Sequence, residues 1–204
     1  MRCSGVPIPI PFSILIEHGY SYLLGLYLGD GCISQGPRGV YRLRVFLDRA
    51  YPLIVEECVA AMSLVMPASK ASVYPSRDEH MSVVSSWSKH WPCLIPQHGS
   101  GLKHRRTIRL EPWQRRIADR HPTRLLRGLI HSDGTRGLNT IKHPKRTYSY
   151  PRYQFSNRSA DIRAIFCEYC DKLGIEWRQM NRFNISVAKA GSVARMDEFI
   201  GPKR

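Results

Sequence analysis

The sequence predicts an α+β fold of two pseudo-symmetric halves, each running helix, strand, strand, helix, strand, strand, helix (αββαββα). Three observations predict it. The segment Tyr22-Leu-Leu-Gly-Leu-Tyr-Leu-Gly-Asp-Gly31 returns about one hundred residues later as Leu125-Leu-Arg-Gly-Leu-Ile-His-Ser-Asp-Gly134. Segments of period two and segments of helical period follow each copy in the same order. Turns separate them and no long parallel crossover is seen, which favours antiparallel sheets. The expected organisation is a first half over 1–96, a basic linker with a short helix over 97–120, and a second half over 121–204.

Taken in order, the first repeated segment is an apolar helix with small residues four apart, Gly25 and Gly29, stopped by Asp30-Gly31. The turn-rich Ser34–Gly39 leads into Tyr41–Leu47, where Arg42 and Arg44 alternate with Leu43, Val45 and Leu47, as in a half-buried strand. Pro52–Val65 carries Val55, Val59 and Met62 at helical spacing. Ala71–Pro75 and His80–Trp87 read as short strands, and a helical stretch closes the half. Gln97–Arg106 reads as a loop, and Pro112–Asp119 as a short helix with Trp113 and Ile117 inward. Pro122 and Thr123 open the second repeated helix. Thr135–Ile141 and Thr147–Ser156 are strands broken by His143-Pro144. Ala160–Leu173 is a helix ended by Gly174; Ile175–Met180 and Phe183–Val187 are strands, and a last helix follows.

The 204 residues contain 31 Lys and Arg against 16 Asp and Glu, a formal charge of +15. Such a balance points to a polyanion, with nucleic acid first. A membrane span is not expected, because the apolar stretches around Ile8–Ile16 and Tyr22–Leu28 fall short of the roughly 18 residues required. No signal peptide is expected either, so the reading is intracellular: cytoplasmic or nucleoid-associated, with an organelle open. Six scattered cysteines in a chain of this length read as reduced thiols rather than a disulfide framework. Cys167-x-x-Cys170 has no second pair at zinc spacing and sits in an amphipathic helix. The tryptophans 87, 91, 113 and 177 read as core. The charge is uneven: residues 1–100 are nearly neutral, whereas Gly101–Arg127 holds 9 basic and 2 acidic side chains.

Each Asp-Gly pair places a carboxylate at the C-terminal end of a helix, the negative end of its dipole. A sequence that does this twice at matching positions asks for a cation there. The pairs Gly25/Gly29 and Gly128/Ser132 let two helices pack backbone to backbone, bringing Asp30 and Asp133 to one place. Oxygen ligands facing a polyanion match Mg²⁺, with Mn²⁺ able to substitute.

Both segments resemble the motif of the LAGLIDADG homing endonucleases in their single-chain, two-motif form: Leu23 to Gly31 in the first copy, Leu126 to Gly134 in the second. The order of strands and helices after each motif fits the same family. The resemblance implies four-stranded antiparallel DNA-binding sheets and motif helices packed at a central interface. It implies a monomer with internal pseudo-two-fold symmetry that makes a metal-dependent double-strand break at a long DNA site. Asp30 and Asp133 are then the metal ligands and catalytic acids of the motif, with Gly29 and Ser132 included in the metal site. The family's pocket lysine past the fourth strand falls on Lys89 and Lys189, and its polar residue after the second strand on Asp48 and Asn157. The sixth motif position is Leu28 in one copy and His131 in the other, and Arg127 stands where a motif helix packs tightly; an outward direction is expected for it. The alternative is a DNA-binding regulator or an RNA-binding intron maturase on the same fold, without cleavage.

The expected DNA-facing residues are Arg42, Arg44, Arg136, Lys142, Tyr150, Arg152 and Gln154 on strands, and Arg77, Arg178 and Arg182 at strand ends. Lys103, Arg105, Arg106 and Arg109 in the linker are expected on the phosphate backbone.

Overall fold

The computed structural model describes residues 13–78, 80–144, 146–201 and 203; Cys3 and the stretch up to residue 12 lie outside the described residues, as does the side chain of Lys142. Helix α1 (Ile14–Asp30) begins where the Ser13 hydroxyl accepts a hydrogen bond from the Ile16 amide (3.4 Å). It is apolar nearly all round, and Tyr20 to Leu28 are all buried, so it is a central rather than a surface helix. Its repeat partner α5 (Pro122–Asp133) starts with proline in the first turn, where the missing amide proton costs nothing.

α1 leads straight into β1 (Gly31–Gln35), a short 3₁₀ turn (Pro37–Gly39) and β2 (Tyr41–Asp48). After α2 (Pro52–Val65) come β3 (Ser72–Pro75) and β4 (Met81–Ser88), in an antiparallel sheet of order β1-β2-β4-β3. α3 (Trp91–Leu94) closes the half and α4 (Pro112–Arg120) lies in the linker. The second half adds β5 (Gly134–His143), β6 (Arg146–Ser156), α6 (Ala160–Lys172), β7 (Arg178–Gln179), β8 (Asn184–Val187) and α7 (Ala190–Ile200), with sheet order β5-β6-β8-β7. The α+β class and the repeated order are as expected. In both halves the glycine after the aspartate pairs with the apolar end of the next strand, Gly31 with Val45 and Gly134 with Phe155.

The halves share one core, because α1 and α5 lie between the two sheets and are buried on both sides. Their contact is backbone on backbone. A Cβ on Gly25 would stand 2.8 Å from the Leu129 nitrogen and 2.9 Å from the Gly128 Cα. A Cβ on Gly128 would stand 2.9 Å from both the Gly25 Cα and the Leu26 nitrogen. No side chain larger than hydrogen fits at either position.

The halves are not copies. β2 pairs with β4 along its whole length, but β6 pairs with β8 only from Tyr153 to Ser156. The outer part of the β5–β6 ladder therefore projects, leaving Leu138, Ile141, Tyr148 and Tyr150 exposed. The strand expected over Ile175–Met180 shrinks to two residues. Ile175 is drawn into the core, the Glu176 amide donates to Ser192 Oγ (2.9 Å), and the Trp177 indole donates to Asp171 Oδ1 (2.7 Å). The linker is tied down rather than loose. Gln97 Nε2 donates to the Arg109 carbonyl (2.6 Å) and to Gln114 Oε1 (2.5 Å), and Gln114 Nε2 donates to the Tyr20 hydroxyl of α1 (2.7 Å). Cys167 and Cys170 are buried, and burial pushes the Cys167 thiol up to about 11 and Cys170 higher still, so neither is a ready metal ligand.

Candidate metal and nucleic-acid site

The site grows from the ends of α1 and α5. Because Gly25 and Gly128 let the helices touch, their last turns touch too: a Cβ on Gly29 would stand 2.5 Å from Ser132 Cβ and 3.1 Å from Asp133 Oδ2. Two carboxylates thus meet where two helix dipoles present their negative ends. Burial first, and the Asp133 charge second, push the Asp30 carboxyl up to about 6, with Lys103 and Lys203 opposing. Burial also raises Asp133, opposed first by the hydrogen bond from Asn157 Nδ2 to Asp133 Oδ2 (2.5 Å). Asn157 is itself aimed, since its Oδ1 accepts from the Ser159 amide (2.7 Å).

Two ammonium groups serve this acidic pair. Lys103 Nζ donates to the carbonyls of Tyr27 (2.6 Å), Leu28 (2.9 Å) and Gly29, the otherwise orphaned end of α1. Burial brings it down to about 8 while Asp133 and Asp30 hold it up. Lys203 Nζ donates to the Gly134 carbonyl; burial lowers it, and Asp30, Asp133 and Asp48 oppose.

No family model matches this chain, and no curated protein matches it by sequence. Solved structures do. The homing endonuclease I-DmoI in complex with DNA and Mn superposes with a TM-score of 0.60 at 13% identity, covering 92% of this chain and 98% of that one. The N-terminal LAGLIDADG domain of WhiA gives 0.55 at 14% identity over 96% of this chain and 88% of that one. An I-SmaMI structure gives 0.56 at 11% identity over 89% and 84%.

This chain has the LAGLIDADG fold.

Within the LAGLIDADG fold the predicted residues separate into groups. Asp30, Asp133, Gly29, Ser132 and Asn157 come together at the helix ends. The Ser132 hydroxyl is turned back on its own helix, donating to the Gly128 and Leu129 carbonyls (both 3.0 Å). Asp48 is exposed, accepts from the Ala50 amide (2.9 Å), and acts with Asp30 and Asp133 on the Lys203 charge.

Lys89 and Lys189 do not join them. Lys89 is exposed past β4, and Lys189 is an exposed residue at the start of α7, ion-paired with Glu176. The lysines that lie near the paired aspartates are Lys103 and Lys203. The repeat alone could not choose, because both pairs are one hundred residues apart. Spacing gives no hint that the 3₁₀ turn around Lys103 folds under the end of α1.

The sheet faces away from the helices also sort the candidates. Arg42 and Arg44 lie on the open face of the first sheet. The Arg42 guanidinium sits over the Tyr74 ring (5.0 Å) and the Trp87 ring (5.2 Å), and Arg44 donates to Ser34 Oγ (3.4 Å). Trp87 is therefore a surface stacking partner, 45% exposed, and not core as expected; Trp91, fully buried, is core. In the second half Tyr148, Tyr150, Arg152, Gln154 and, by register, Arg178 share the open face. Arg77 and Arg182 are exposed at turns. Arg136 belongs to the other face: it pairs with Asp197 of α7 (2.6 Å) and lies over Tyr153, so its expected place on the open face is overturned. The register decides this: Arg136 stands opposite Tyr153, whose side chain is buried on the helix side, and directly opposed residues share a face.

Part of the basic cluster over Gly101–Arg127 is already paired within the chain. Arg120 pairs with Glu17, Arg115 with Glu168, Arg124 and Arg127 with Glu57, and Lys103 is turned onto the carbonyl end of α1. Arg106 folds back toward Gly99 and Tyr27. Of the four linker cations expected on phosphate, Arg105 and Arg109 are the exposed ones.

Two motif departures also find their reason. Arg127 does not point outward into solvent: Nε and Nη2 donate to Glu57 of α2 (3.0 and 2.8 Å), and Nη1 donates to the Phe199 carbonyl (2.8 Å) and the Ile200 carbonyl. His131 is buried; its Nδ1 accepts from the Tyr22 hydroxyl (2.8 Å) and its Nε2 donates to the Ile200 carbonyl (3.1 Å). Burial first, then the Arg127 charge, bring it down to about 4, with Glu57 opposing. A folded-state value below the free 6.5 means the unfolded chain binds the extra proton between those values. The stability that neutral His131 contributes is complete above 6.5 and is lost as pH falls toward 4, by up to about 3 kcal/mol. Urea unfolding of His131→Gln should show a flatter pH dependence than wild type across that window; parallel curves would refute it.

Proposed function

We propose that this chain is a site-specific, divalent-metal-dependent DNA endonuclease that makes a double-strand break. The observation that carries the reading is the pair of buried carboxylates at touching helix ends, flanked by two lysines and by two open, cation-bearing sheet faces. The fold likeness to I-DmoI, solved with DNA and Mn, supports it.

The residues present fit Mg²⁺. The donors are oxygen, the two carboxylates are uncompensated enough to be pushed upward, and among the described residues no group of three His, Cys, Asp or Glu side chains forms a closed metal cage. Mg²⁺ uses one or two carboxylates and takes its other ligands from water and phosphate, with Mn²⁺ an alternative. Asp30 and Asp133, beside Gly29 and Ser132, would hold it. When bound, the ion supplies charge neutralisation at the phosphate and a lowered pKa for attacking water. Asn157 keeps Asp133 oriented. Lys103 and Lys203 offset negative charge that builds on the phosphate. The packed helices fix the separation of the acidic groups, and the two sheets set the duplex across them.

Arg42, held between two rings and carrying no ion pair among the described residues, is placed to read a guanine edge, for which a bidentate arginine is the common partner. Arg42→Ala should weaken preferred-site binding by about 1–3 kcal/mol and relax one base position. Neutralising Arg105 and Arg109 should instead lower the salt slope by about 2 and leave site preference alone. An unchanged slope would return both to ordinary surface.

The direct test is selection of cut sites from a randomised duplex library with Mg²⁺. Recovery of one long site, lost with EDTA, is expected. Tight binding with no cut strands would move the chain to the regulator or maturase reading. No helix among the described residues is long and apolar enough to cross a membrane.

A further inference from the structure

Resting on that reading, we infer that Lys203, beyond α7, is part of the catalytic site, and that Arg127, Glu57 and His131 are positioning residues that clamp the end of α7 so that Lys203 is held beside the paired aspartates. The argument begins at the end of α7. Its last carbonyls have no helical partner and need donors. Glycine-based helix stops usually satisfy them from their own backbone. Here Gly201 follows with a left-handed φ of 66°, and among the described residues no backbone amide caps the helix. Side chains of α5 do so instead. Arg127 Nη1 donates to the Phe199 carbonyl (2.8 Å) and to that of Ile200, and His131 Nε2 donates to the Ile200 carbonyl (3.1 Å). The two donors are four residues apart and so share one face of α5.

The donors are held from behind. Glu57, from α2 of the first half, takes Arg127 Nε and Nη2 and also pairs with Arg124 (2.8 Å). The Tyr22 hydroxyl of α1 donates to His131 Nδ1 (2.8 Å), which leaves Nε2 as the protonated nitrogen facing Ile200. Both motif helices and α2 therefore grip the last turn of α7. Gly201 turns the chain, a Cβ there lying 3.3 Å from Arg127 Nη1. Lys203 then donates to the Gly134 carbonyl, one residue past Asp133, with its ammonium over the Tyr51 ring at 5.7 Å. Arg127 and His131 occupy the second and sixth positions of the second motif, where the first motif has Leu24 and Leu28. The first half has a different solution, in which Lys103 binds the end of α1 directly.

The test has two arms on the full chain. In the first, lysines are labelled with an acylating reagent and read by mass spectrometry, without DNA or metal. Lys203 and Lys103 should be protected, and Lys89 and Lys189 should label freely. Arg127→Gln and Glu57→Gln should make Lys203 label as fast as Lys89 while Lys103 stays protected, which shows that the fold is kept. Continued protection of Lys203 in both variants would overturn the clamp. In the second arm, single-turnover cleavage is measured at saturating enzyme, so that the active fraction drops out. Lys203→Ala should slow cleavage by at least about tenfold without loss of DNA binding, and added methylammonium should restore part of the rate. Arg127→Gln combined with Lys203→Ala should be no slower than Lys203→Ala alone. A wild-type rate in Lys203→Ala, or additive losses in the double variant, would overturn the role in the pocket. Failure of the wild type to cut DNA sinks the endonuclease reading and with it the catalytic role of Lys203, while the labelling arm still decides the clamp.

Discussion

Asp30→Asn is expected to abolish double-strand cleavage and, at the same time, to stabilise the metal-free protein. The two effects have one cause. Asp30 is held up at about 6 by burial and by Asp133, above its unfolded value of 3.8. Between those values the folded chain binds the extra proton, so stability falls as pH rises through the window, and the full penalty remains at pH 7. An amide does not ionise and escapes it, a gain of about 1–2 kcal/mol after allowance for partial solvation. Mg²⁺ reverses the order. Binding at about 100 times the dissociation constant stabilises wild type by about 2.7 kcal/mol, and the amide variant forfeits a ligand. Thermal unfolding should therefore show the variant above wild type in EDTA and below it in Mg²⁺. Cleavage should fall by at least about 10³-fold, the order of loss when charge stabilisation worth several kcal/mol disappears. Asp133→Asn should behave alike in direction. Retained cutting, or identical melting in EDTA, would count against the paired-carboxylate site.

The largest effect on stability is expected from Gly128→Ala. The added methyl has nowhere to go, because the nearest atoms are backbone of α1 at Tyr22, Gly25 and Leu26. Side chains can change rotamer, but a facing helix backbone must move as a body. That motion would open the core on both sides of α1 and α5, at a cost of about 3 kcal/mol or more. Gly25→Ala should match it, since its methyl would meet the Leu125 carbonyl and the backbone of Gly128 and Leu129. Gly191→Ala in α7 is the control, because nothing lies within 4 Å of its Cβ position. There alanine should be neutral or stabilising by about 0.5–1 kcal/mol. Urea midpoints of the three variants decide the matter, and near-equal values would refute the backbone contact. Any folded fraction of Gly128→Ala should also bind Mg²⁺ poorly, since the helices that set the two aspartates would stand further apart.

Local patterns made much of the molecule readable. The two repeated helices, the alternation of Arg42 and Arg44 with a buried face, and the break at His143-Pro144 follow from periods of 3.6 and 2 and from turn chemistry, which neighbouring residues encode. The small residues four apart foretold the close crossing, because absence of bulk is visible in a sequence. The aspartates were legible because they end those helices.

What the sequence by itself determined is the repeat, the order of elements, the helix crossing and the two carboxylates. The tertiary structure alone decided which charges face which. It brought Lys103 and Lys203, not Lys89 and Lys189, to the helix ends, turned Arg136 toward Asp197, placed Trp87 beside Arg42 on the surface, and paired Arg115, Arg120, Arg124 and Arg127 with Glu168, Glu17 and Glu57. The physical reason is range. A period or a turn is set within a few residues of itself, whereas an ion pair such as Arg127–Glu57 joins residues 70 apart and exists only once two helices from different halves have packed.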